Sequence, residues 1–292
     1  GSEMCIRDRE WYIEKHFKGG RKEKYYQYDK LFDWILNTLD KSNSKATFFC
    51  VGQLAVEFPE VVKRIADNGH EIGSHSNRHL WINKMTEQEF AEDTRIAIQE
   101  IEYLIGQKVK SFRAPAFSIG KDNAWAFEVL VDNGIEYDCS IFPTNRDFGG
   151  FPQFTSSVPS LVKKRDYTIK EFPICPATLL GRGIPFSGGG YFRLVPLWLQ
   201  KKLINRMDYV MFYFHINDLI EQNSKFMTKQ EFEEYFKEPG TLKNRITRYV
   251  KTNIGKGGAL NKLDTLLGNY SFCNVQQAAE SIDWSKQPLI EL

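Results

Sequence analysis

The chain has 292 residues, of which 42% are hydrophobic and 26% are charged. This composition supplies enough apolar side chains for a folded core and excludes collagen, coiled-coil and disordered chains. Lys and Arg (39) nearly balance Asp and Glu (37), so the net charge of +2 gives no electrostatic reason to expect nucleic acid as a partner. No run of 18 apolar residues occurs, so the sequence predicts no transmembrane segment.

The first eight residues, GSEMCIRD, show neither strand alternation nor helical periodicity. Back-translated as GGC-TCG-GAG-ATG-TGT-ATA-AGA-GAC, they look like the transposon-end adapter used to prepare sequencing libraries. We therefore expect residues 1–9 to be a non-native segment, with Arg9 a hybrid codon, at the start of a truncated metagenomic fragment. A true, irregular N-terminus is the alternative, and genomic DNA upstream of Glu10 would decide between the two.

Apolar runs typical of strands alternate with helical patterns along the rest of the chain. The predicted strands cover residues 46–52, 71–75, 111–115, 137–140, 169–173 and 209–215. The predicted helices cover residues 28–39, 57–68, 86–105 and 122–133, and Thr86 with Glu89 forms a capping box at the start of the third. This alternation predicts a parallel sheet with right-handed crossovers, in a barrel or a doubly wound sheet.

Six strands are few for a closed barrel, and a first strand lost with the native N-terminus would make seven. We expect an α/β fold, a distorted (β/α)7 barrel over residues 10–224 whose first strand is missing. After about Ser224 the sequence becomes polar and rich in Lys and Glu. That change predicts a helical C-terminal extension over residues 225–292, packed on the barrel.

The five cysteines are widely spaced and form no CxxC pair. The spacing indicates neither a structural zinc site nor a disulfide scaffold, and Cys50 in its apolar run is expected in the core. A reducing compartment, the cytoplasm, is therefore expected. A signal peptide remains the alternative, because the native start is expected to be missing.

His75 and His79 stand four residues apart at the end of a predicted strand. If a helical turn follows the strand, both imidazoles share a face and can bind one divalent ion. Two surface histidines in a loop are the alternative.

The flanking residues resemble those of the NodB-like polysaccharide deacetylases, carbohydrate esterase family four, from about Glu10 to Asp218. The resembling segments, in chain order, are ATFF at 46–49, GHEI at 69–72 with His75-Ser76-x-x-His79, Arg113-Ala114-Pro115, Tyr137-Asp138-x-Ser140 and Phe212-Tyr213-Phe214-His215. The stretch GGGYFRLVP at 188–196 resembles the subgroup linked to bacterial exopolysaccharide loci.

The resemblance implies hydrolysis of N-acetyl groups on an amino-sugar polysaccharide, with a divalent metal bound by His75 and His79. Zinc is the expected metal, with cobalt, nickel or manganese as alternatives. By resemblance, Arg113 orients the base Asp, Asp138 is a further catalytic residue, and His215 is the general acid for the leaving amine. A role for Asp138 in capping or orienting only is the alternative. Backbone N–H groups after Pro115 are candidates for an oxyanion hole. The predicted substrate-binding residues are Pro115, Ala116, Phe117, Tyr191, Phe192 and Arg193.

Two features depart from the family pattern. Its acidic first motif ends in Glu-Trp-Tyr, which matches residues 10–12 and puts Arg7 and Arg9 where the base Asp and the metal-ligand Glu belong. The chain as given is therefore expected to be inactive, unless the register slips by one so that Asp8 and Glu10 substitute. The residues after His215 also differ from the expected His-Pro-x-Glu.

Two other functions stay open at this point. One is a catalytically degenerate, carbohydrate-binding member of the family, and the other is the same fold acting on a small amide. The sequence alone does not identify the polysaccharide or the oligomeric state.

Overall fold

The structure is a computed structural model that describes residues 2–4, 20–144, 149–179, 182–219, 226–236 and 239–292. The strands are β1 Ser2–Met4, β2 Thr47–Cys50, β3 Glu71–Ser74, β4 Ser111–Phe112, β5 Tyr137–Asp138, β6 Ser160–Lys164, β7 Tyr167–Glu171, β8 Ala177–Leu179, β9 Arg182–Ile184, β10 Phe214–His215 and β11 Leu289–Glu291. The α-helices are α1 Gly20–Lys41, α2 Gly52–Glu57, α3 Pro59–Asp67, α4 Glu87–Ile105, α5 Ala126–Asp132, α6 Gly189–Leu194, α7 Leu197–Ile204, α8 Lys229–Phe236, α9 Leu242–Asn253, α10 Ala259–Leu267 and α11 Val275–Ser281.

One sheet carries most of these strands, in the order β10-β1-β2-β3-β4-β5-β7-β6-β11. The ladders from β10 through to β7 are parallel, whereas β6 runs antiparallel to β7 and β11 runs parallel to β6. The predicted α/β class with a parallel-dominated sheet is confirmed. Closure of this sheet into a barrel stays a prediction.

A short strand, Ser2–Met4, occupies the place of the first strand, and the loss of a native first strand stays a prediction. Ser2–Met4 lies between β10 and β2, with Ser2 opposite both Phe214 and Phe48 in the two ladders. The strand is only three residues long, so it pairs with just the end of the predicted strand 209–215. Residues 209–212 instead line an apolar cavity of about 720 Å³, together with Thr47, Phe48 and helix α10.

The predicted helices differ from the observed ones mainly at their starts. The predicted helix 57–68 corresponds to α3, which begins at Pro59, and the separate helix α2 before it was not predicted. The predicted helix 122–133 begins only at Ala126. Helix α4 begins after Thr86, whose side chain forms the predicted capping box with Glu89, and it ends at Gly106 in a left-handed conformation. These local signals therefore set the limits of α4 as predicted.

The C-terminal residues form helices, as predicted, and also add a strand to the sheet. Strand β11 pairs with β6, with Ile290 opposite Val162. The start of α11 is held against the sheet, because its Val275 N–H donates to Thr47 Oγ1 at 2.8 Å and the Gln276 N–H donates to Glu71 Oε2 at 3.0 Å. The C-terminal residues thus belong to the same folded unit as the main sheet, through the pairing of β11 with β6 and the hydrogen bonds at the start of α11.

The core is built from the apolar faces of the central strands and the helices that cover them. Phe48, Phe49 and Cys50 of β2 are fully or almost fully buried, which confirms the core position of Cys50. Burial raises the pKa of the Cys50 thiol to about 12, so the thiol stays protonated and inert. Within the part of the chain that the structure describes, no helix has the length and apolarity needed to cross a bilayer.

Candidate functional site

Five chemically active side chains lie along one edge of the sheet. Strands β3, β4, β5 and β7 are neighbours and parallel, and β10 joins them in the same direction through β1 and β2. Parallel strands bring their carboxyl ends to one edge, where ligands bind in open α/β sheets. The side chains at or just after these ends are His75, Arg113, Asp138, Glu171 and His215.

His75 and His79 are adjacent, as the spacing predicts, although no helical turn joins them. Their ring centroids lie 5.0 Å apart. Ser76 and His79 both adopt left-handed backbone conformations (φ 63° and 57°), and the His79 N–H donates to Ser76 Oγ at 2.9 Å. Two left-handed residues thus fold the loop back so that the two imidazole rings lie edge to face, 67° apart.

The orientation of His75 suits a metal ligand. Its ring is fully buried, and Nδ1 lies 2.6 Å from the carbonyl oxygen of Arg113. A carbonyl can only accept, so Nδ1 carries the proton and the lone pair is on Nε2. This backbone-fixed tautomer is the one that metal-binding histidines commonly use.

Two imidazoles match the preference of zinc for nitrogen ligands, but a protein zinc site needs at least three ligands. Among the described residues no third His, Cys, Asp or Glu joins His75 and His79 in one cluster. Arg7 and Arg9, which stand where the resemblance puts the acidic motif, lie outside the described residues, as do Asp8 and Glu10. The described residues therefore supply two of the three or more ligands that a zinc ion needs.

Arg113 is a buried cation, and only part of its guanidinium is hydrogen-bonded to the residues that the structure describes. Its Nε donates to the Cys139 carbonyl at 3.1 Å, and its guanidinium carbon lies 4.5 Å from the centre of the Phe49 ring. Nη1 and Nη2 make no hydrogen bond to any residue that the structure describes. A planar guanidinium matches a carboxylate better than any other partner, so these two donors suit an acidic group.

A buried pair of acids, Asp138 and Glu171, lies next to Arg113. Burial raises the pKa of Glu171 well above its usual range, and the Asp138 charge and a hydrogen bond to Asp138 raise it further, against Arg113. Burial also raises the pKa of Asp138, although bonds from Glu171 and Ser140 oppose this. The raised pKa favours the protonated form of Glu171 in this buried pair.

Glu171 was missed as a site residue by sequence reasoning, although it lies within the predicted strand 169–173 and ends the observed strand β7. Asp138 was predicted as a catalytic residue, with capping or orienting as the alternative, and its catalytic role stays a prediction. It accepts hydrogen bonds from Ser140 Oγ at 2.6 Å and from Ser140 N at 3.2 Å, which stabilise the turn after β5.

His215 is paired with a carboxylate from its own turn. Its Nδ1 lies 3.3 Å from Oδ2 of Asp218, and its N–H donates to the same oxygen at 3.1 Å. Asp218 was not predicted as a site residue. An acid three residues after the histidine was the available signal, since it takes the position of the Glu in the expected His-Pro-x-Glu.

The loop after β4 supports only part of the predicted oxyanion hole. Ala116 and Phe117 both have left-handed backbone conformations (φ 56° and 54°). The Phe117 N–H donates to Ala114 O at 3.1 Å, and the ring is buried against Phe142 and Tyr213, so the prediction that Phe117 binds substrate is corrected. Pro115 is also buried, whereas Ala116 is half-buried and its N–H stays a candidate.

The predicted substrate residues on α6 divide in the same way. Phe192 is fully buried, with its ring 4.7 Å from that of Phe214, so it is a core residue. Arg193 is buried and donates to main-chain carbonyls of α9, so it also does not face a substrate. Tyr191 is 44% exposed and stays a candidate.

Comparison with known families divides the chain in two. Residues 25–137 match the family model described as polysaccharide deacetylase. Residues 139–280 match a model described only as a domain of unknown function, DUF3473. The first part is thus similar to polysaccharide deacetylases and contains the histidine pair and Arg113, whereas His215 lies in the second part.

Characterised relatives point to the same domain. A peptidoglycan-N-acetylglucosamine deacetylase of Bacillus cereus is 38% identical over 95 residues, which are 32% of this chain and 34% of that protein. The deacetylase PgdA of Listeria monocytogenes is 44% identical over 55 residues, 19% of this chain and 12% of that protein. The chain thus spans about a third or less of the length of these relatives.

The crystal structure of a proposed polysaccharide deacetylase from Mycobacterium smegmatis has the same fold along the whole chain. Its TM-score is 0.64 at 16% sequence identity, and the alignment covers 100% of this chain and 92% of that one. Identity at this level supports the fold and leaves the substrate open.

Proposed function

We propose that this chain has the site of a metal-dependent deacetylase that hydrolyses N-acetyl groups on an amino-sugar polymer, in a copy that lacks the acidic first motif. The observation that carries the proposal is that the histidine pair, Arg113 and His215 come together at one sheet edge from three separate strands. The peptidoglycan deacetylases among the relatives support a polymer of N-acetylated sugars, either peptidoglycan-like or an exopolysaccharide.

His75 and His79 would hold the metal, with a carboxylate as the third protein ligand. The Arg113 carbonyl fixes the His75 ring for this role. When bound, a divalent metal supplies an activated water near neutral pH and polarises the amide carbonyl.

Arg113 would keep a base carboxylate ionised and oriented. A cation beside a carboxylate lowers the pKa of that carboxylate, and the two Nη atoms provide the matching donors. Such a carboxylate can take the proton from the attacking water at neutral pH.

His215 would give its proton to the leaving amine. An amine leaves poorly as an anion, so the carbon–nitrogen bond breaks only as the nitrogen is protonated. Asp218 holds Nδ1 of this ring at 3.3 Å, which directs Nε2 to the opposite side, towards the substrate.

The chain as given is proposed to be inactive, because Arg7 and Arg9 replace the two acids of the first motif. A positive charge at the third ligand position repels a divalent cation. The same substitution is the reason to keep a degenerate, carbohydrate-binding member as the second candidate.

The test is to restore the acids and measure acetate. The double variant Arg7→Asp, Arg9→Glu should release acetate from N-acetylglucosamine oligomers with zinc or cobalt, whereas the given chain should not. Arg7→Asn, Arg9→Gln is the matched control, since it removes both positive charges without adding a carboxylate. No acetate from the double variant with any of several N-acetylated polymers would overturn the proposal, and retained oligomer binding would then favour the degenerate member.

A further inference from the structure

Arg193 connects the C-terminal part of the chain to the carboxylate behind His215. Its side chain is 4% exposed, and its Nη2 lies 3.5 Å from Oδ1 of Asp218. The same guanidinium donates to the carbonyl oxygens of Thr252 at 2.6 Å and Lys251 at 2.9 Å. One planar group thus contacts both the partner of His215 and the last turn of α9.

Asp218 is well suited to hold an imidazole. Its Oδ2 accepts from both the N–H and the ring of His215, while its other oxygen faces Arg193. Burial acts to raise the pKa of Asp218, but the hydrogen bonds from His215 and the charges of His215 and Arg193 outweigh it and lower the pKa. The carboxylate is therefore ionised at neutral pH.

The contact between α6 and the C-terminal helices is reciprocal. Arg193 of α6 occupies the carbonyl end of α9, and Lys262 of α10 occupies the carbonyl end of α6. Lys262 Nζ donates to the carbonyl oxygens of Phe192, Arg193 and Val195 at 2.9, 3.0 and 2.8 Å. Cations at both helix ends favour this packing, because unpaired carbonyls and the negative end of the dipole lie there.

Gly255, after α9, allows the close approach of these elements. It has a left-handed conformation (φ 75°), and a Cβ atom built on it would lie 2.8 Å from the carbonyl oxygen of Arg193. A larger residue would push the end of α9 away from the guanidinium.

From this arrangement we infer that Arg193 is a positioning residue: it uses the C-terminal helices as an anchor to hold Asp218 against His215. The inference rests on the proposed function for the acid role of His215. It assigns the region matched by the domain of unknown function a task at the active site, which is to fix the orientation of the general acid.

The direction in which the protonation of His215 shifts after loss of Arg193 shows whether Arg193 positions Asp218 or acts only through its charge. If Arg193 acted only as a nearby cation, its loss would make His215 easier to protonate. If Arg193 holds Asp218 in place, its loss releases the carboxylate, and His215 becomes harder to protonate.

The experiment is an NMR titration of the His215 ring in the full chain, with Asp218→Asn as the reference for complete loss of the carboxylate. Asp218→Asn should move the titration midpoint of His215 to lower pH by roughly one pH unit. Arg193→Gln should move the midpoint in the same direction by about half as much. Arg193→Lys should move it in the same direction by less, since a single ammonium cannot reach all three acceptors.

An unchanged or higher midpoint in both Arg193 variants would overturn the inference. If Arg193→Gln does not fold, Arg193→Lys still gives the sign. The titration needs no activity, so a failure of acetate release in the restored chain would leave the result standing. In that restored chain, Arg193→Gln should lower kcat about tenfold with KM unchanged, and the alkaline limb of the pH profile should move to lower pH.

Discussion

The Nδ1 atom of His75 lies 2.6 Å from the carbonyl oxygen of Arg113, so the strand next to β3 fixes the ring that would bind a metal. The bond joins residues 38 positions apart in the chain. It links the candidate metal ligand to the main chain of the residue whose guanidinium is proposed to orient the base.

The metal site is tested most directly by removing one ring. In the chain carrying Arg7→Asp and Arg9→Glu, His75→Ala should weaken cobalt binding by more than about 100-fold. Loss of a group that only supports a metal ligand already weakens binding by up to about 100-fold, and His75→Ala removes a ligand itself. His70→Asn is the control, because His70 is a buried histidine whose Nδ1 accepts from the Ala46 N–H at 3.4 Å. Cobalt absorption titrations give both affinities, and equal affinities would contradict the assignment.

Phe192 and Tyr191 form a matched pair for the corrected role of α6. Phe192 is fully buried beside Phe212 and Phe214, so Phe192→Ala should lower the free energy of unfolding by about 3–5 kcal/mol. Tyr191 is 44% exposed, and Tyr191→Ala should change that free energy by less than about 0.5 kcal/mol. Urea denaturation measures both, and similar losses in the two variants would refute the assignment of Phe192 to the core.

His70 should make the protein less stable in mild acid. Burial, with a smaller contribution from Lys45, lowers its pKa to about 4, against about 6.5 in the unfolded chain. The unfolded chain takes up the proton first, so stability present above pH 6.5 is lost as the pH falls towards 4. We expect a loss of roughly 1–2 kcal/mol from this residue.

The measurement for His70 is the free energy of unfolding at pH 7.5 and pH 4.5. His70→Asn keeps an acceptor for the Ala46 N–H and should lose this part of the pH dependence. The same slope in the wild-type chain and the variant would show that His70 does not contribute.

Glu171 should lower the free energy of unfolding at high pH. Its folded pKa is raised mainly by burial, so the folded state holds a proton that the unfolded chain releases near pH 4.3. Stability is complete below that pH and falls as the pH rises towards the folded pKa. Glu171→Gln mimics the protonated acid, and its amide oxygen can still accept from the Ile141 N–H, which donates to Glu171 Oε1 at 3.1 Å.

Glu171→Gln should therefore raise the free energy of unfolding by about 1–2 kcal/mol at pH 8 and leave it unchanged at pH 4. Glu136→Gln is the control, because this exposed carboxylate pairs with Lys110 at 2.8 Å and should show at most a small loss. Urea denaturation at both pH values decides, and a destabilised Glu171→Gln at pH 8 would contradict the raised pKa.

Much of the fold and part of the site follow from local patterns in the sequence. The alternation of strand and helix runs predicts a parallel sheet, and β2 to β5 lie side by side in chain order, because neighbouring elements in an α/β chain pack in sequence. The same pattern puts His75 at the end of a predicted strand and Arg113 and Asp138 within predicted strands, and parallel strands bring their carboxyl ends to one edge. The capping box at Thr86 is also readable, because its atoms lie within four residues.

What the sequence alone does not contain is the outcome of contacts between distant segments. Arg193 lies 58 residues from Lys251, and only the packing of α6 against α9 turns a predicted substrate contact into a buried link to Asp218. The pKa of Glu171 is raised by its burial and by the charge of Asp138, and no local pattern in the sequence encodes this burial. The sequence by itself thus determined the alternation of strands and helices and the chemistry available near the strand ends, whereas the tertiary structure decided which polar groups are buried, paired and oriented, because burial and charge partners depend on segments far apart in the chain.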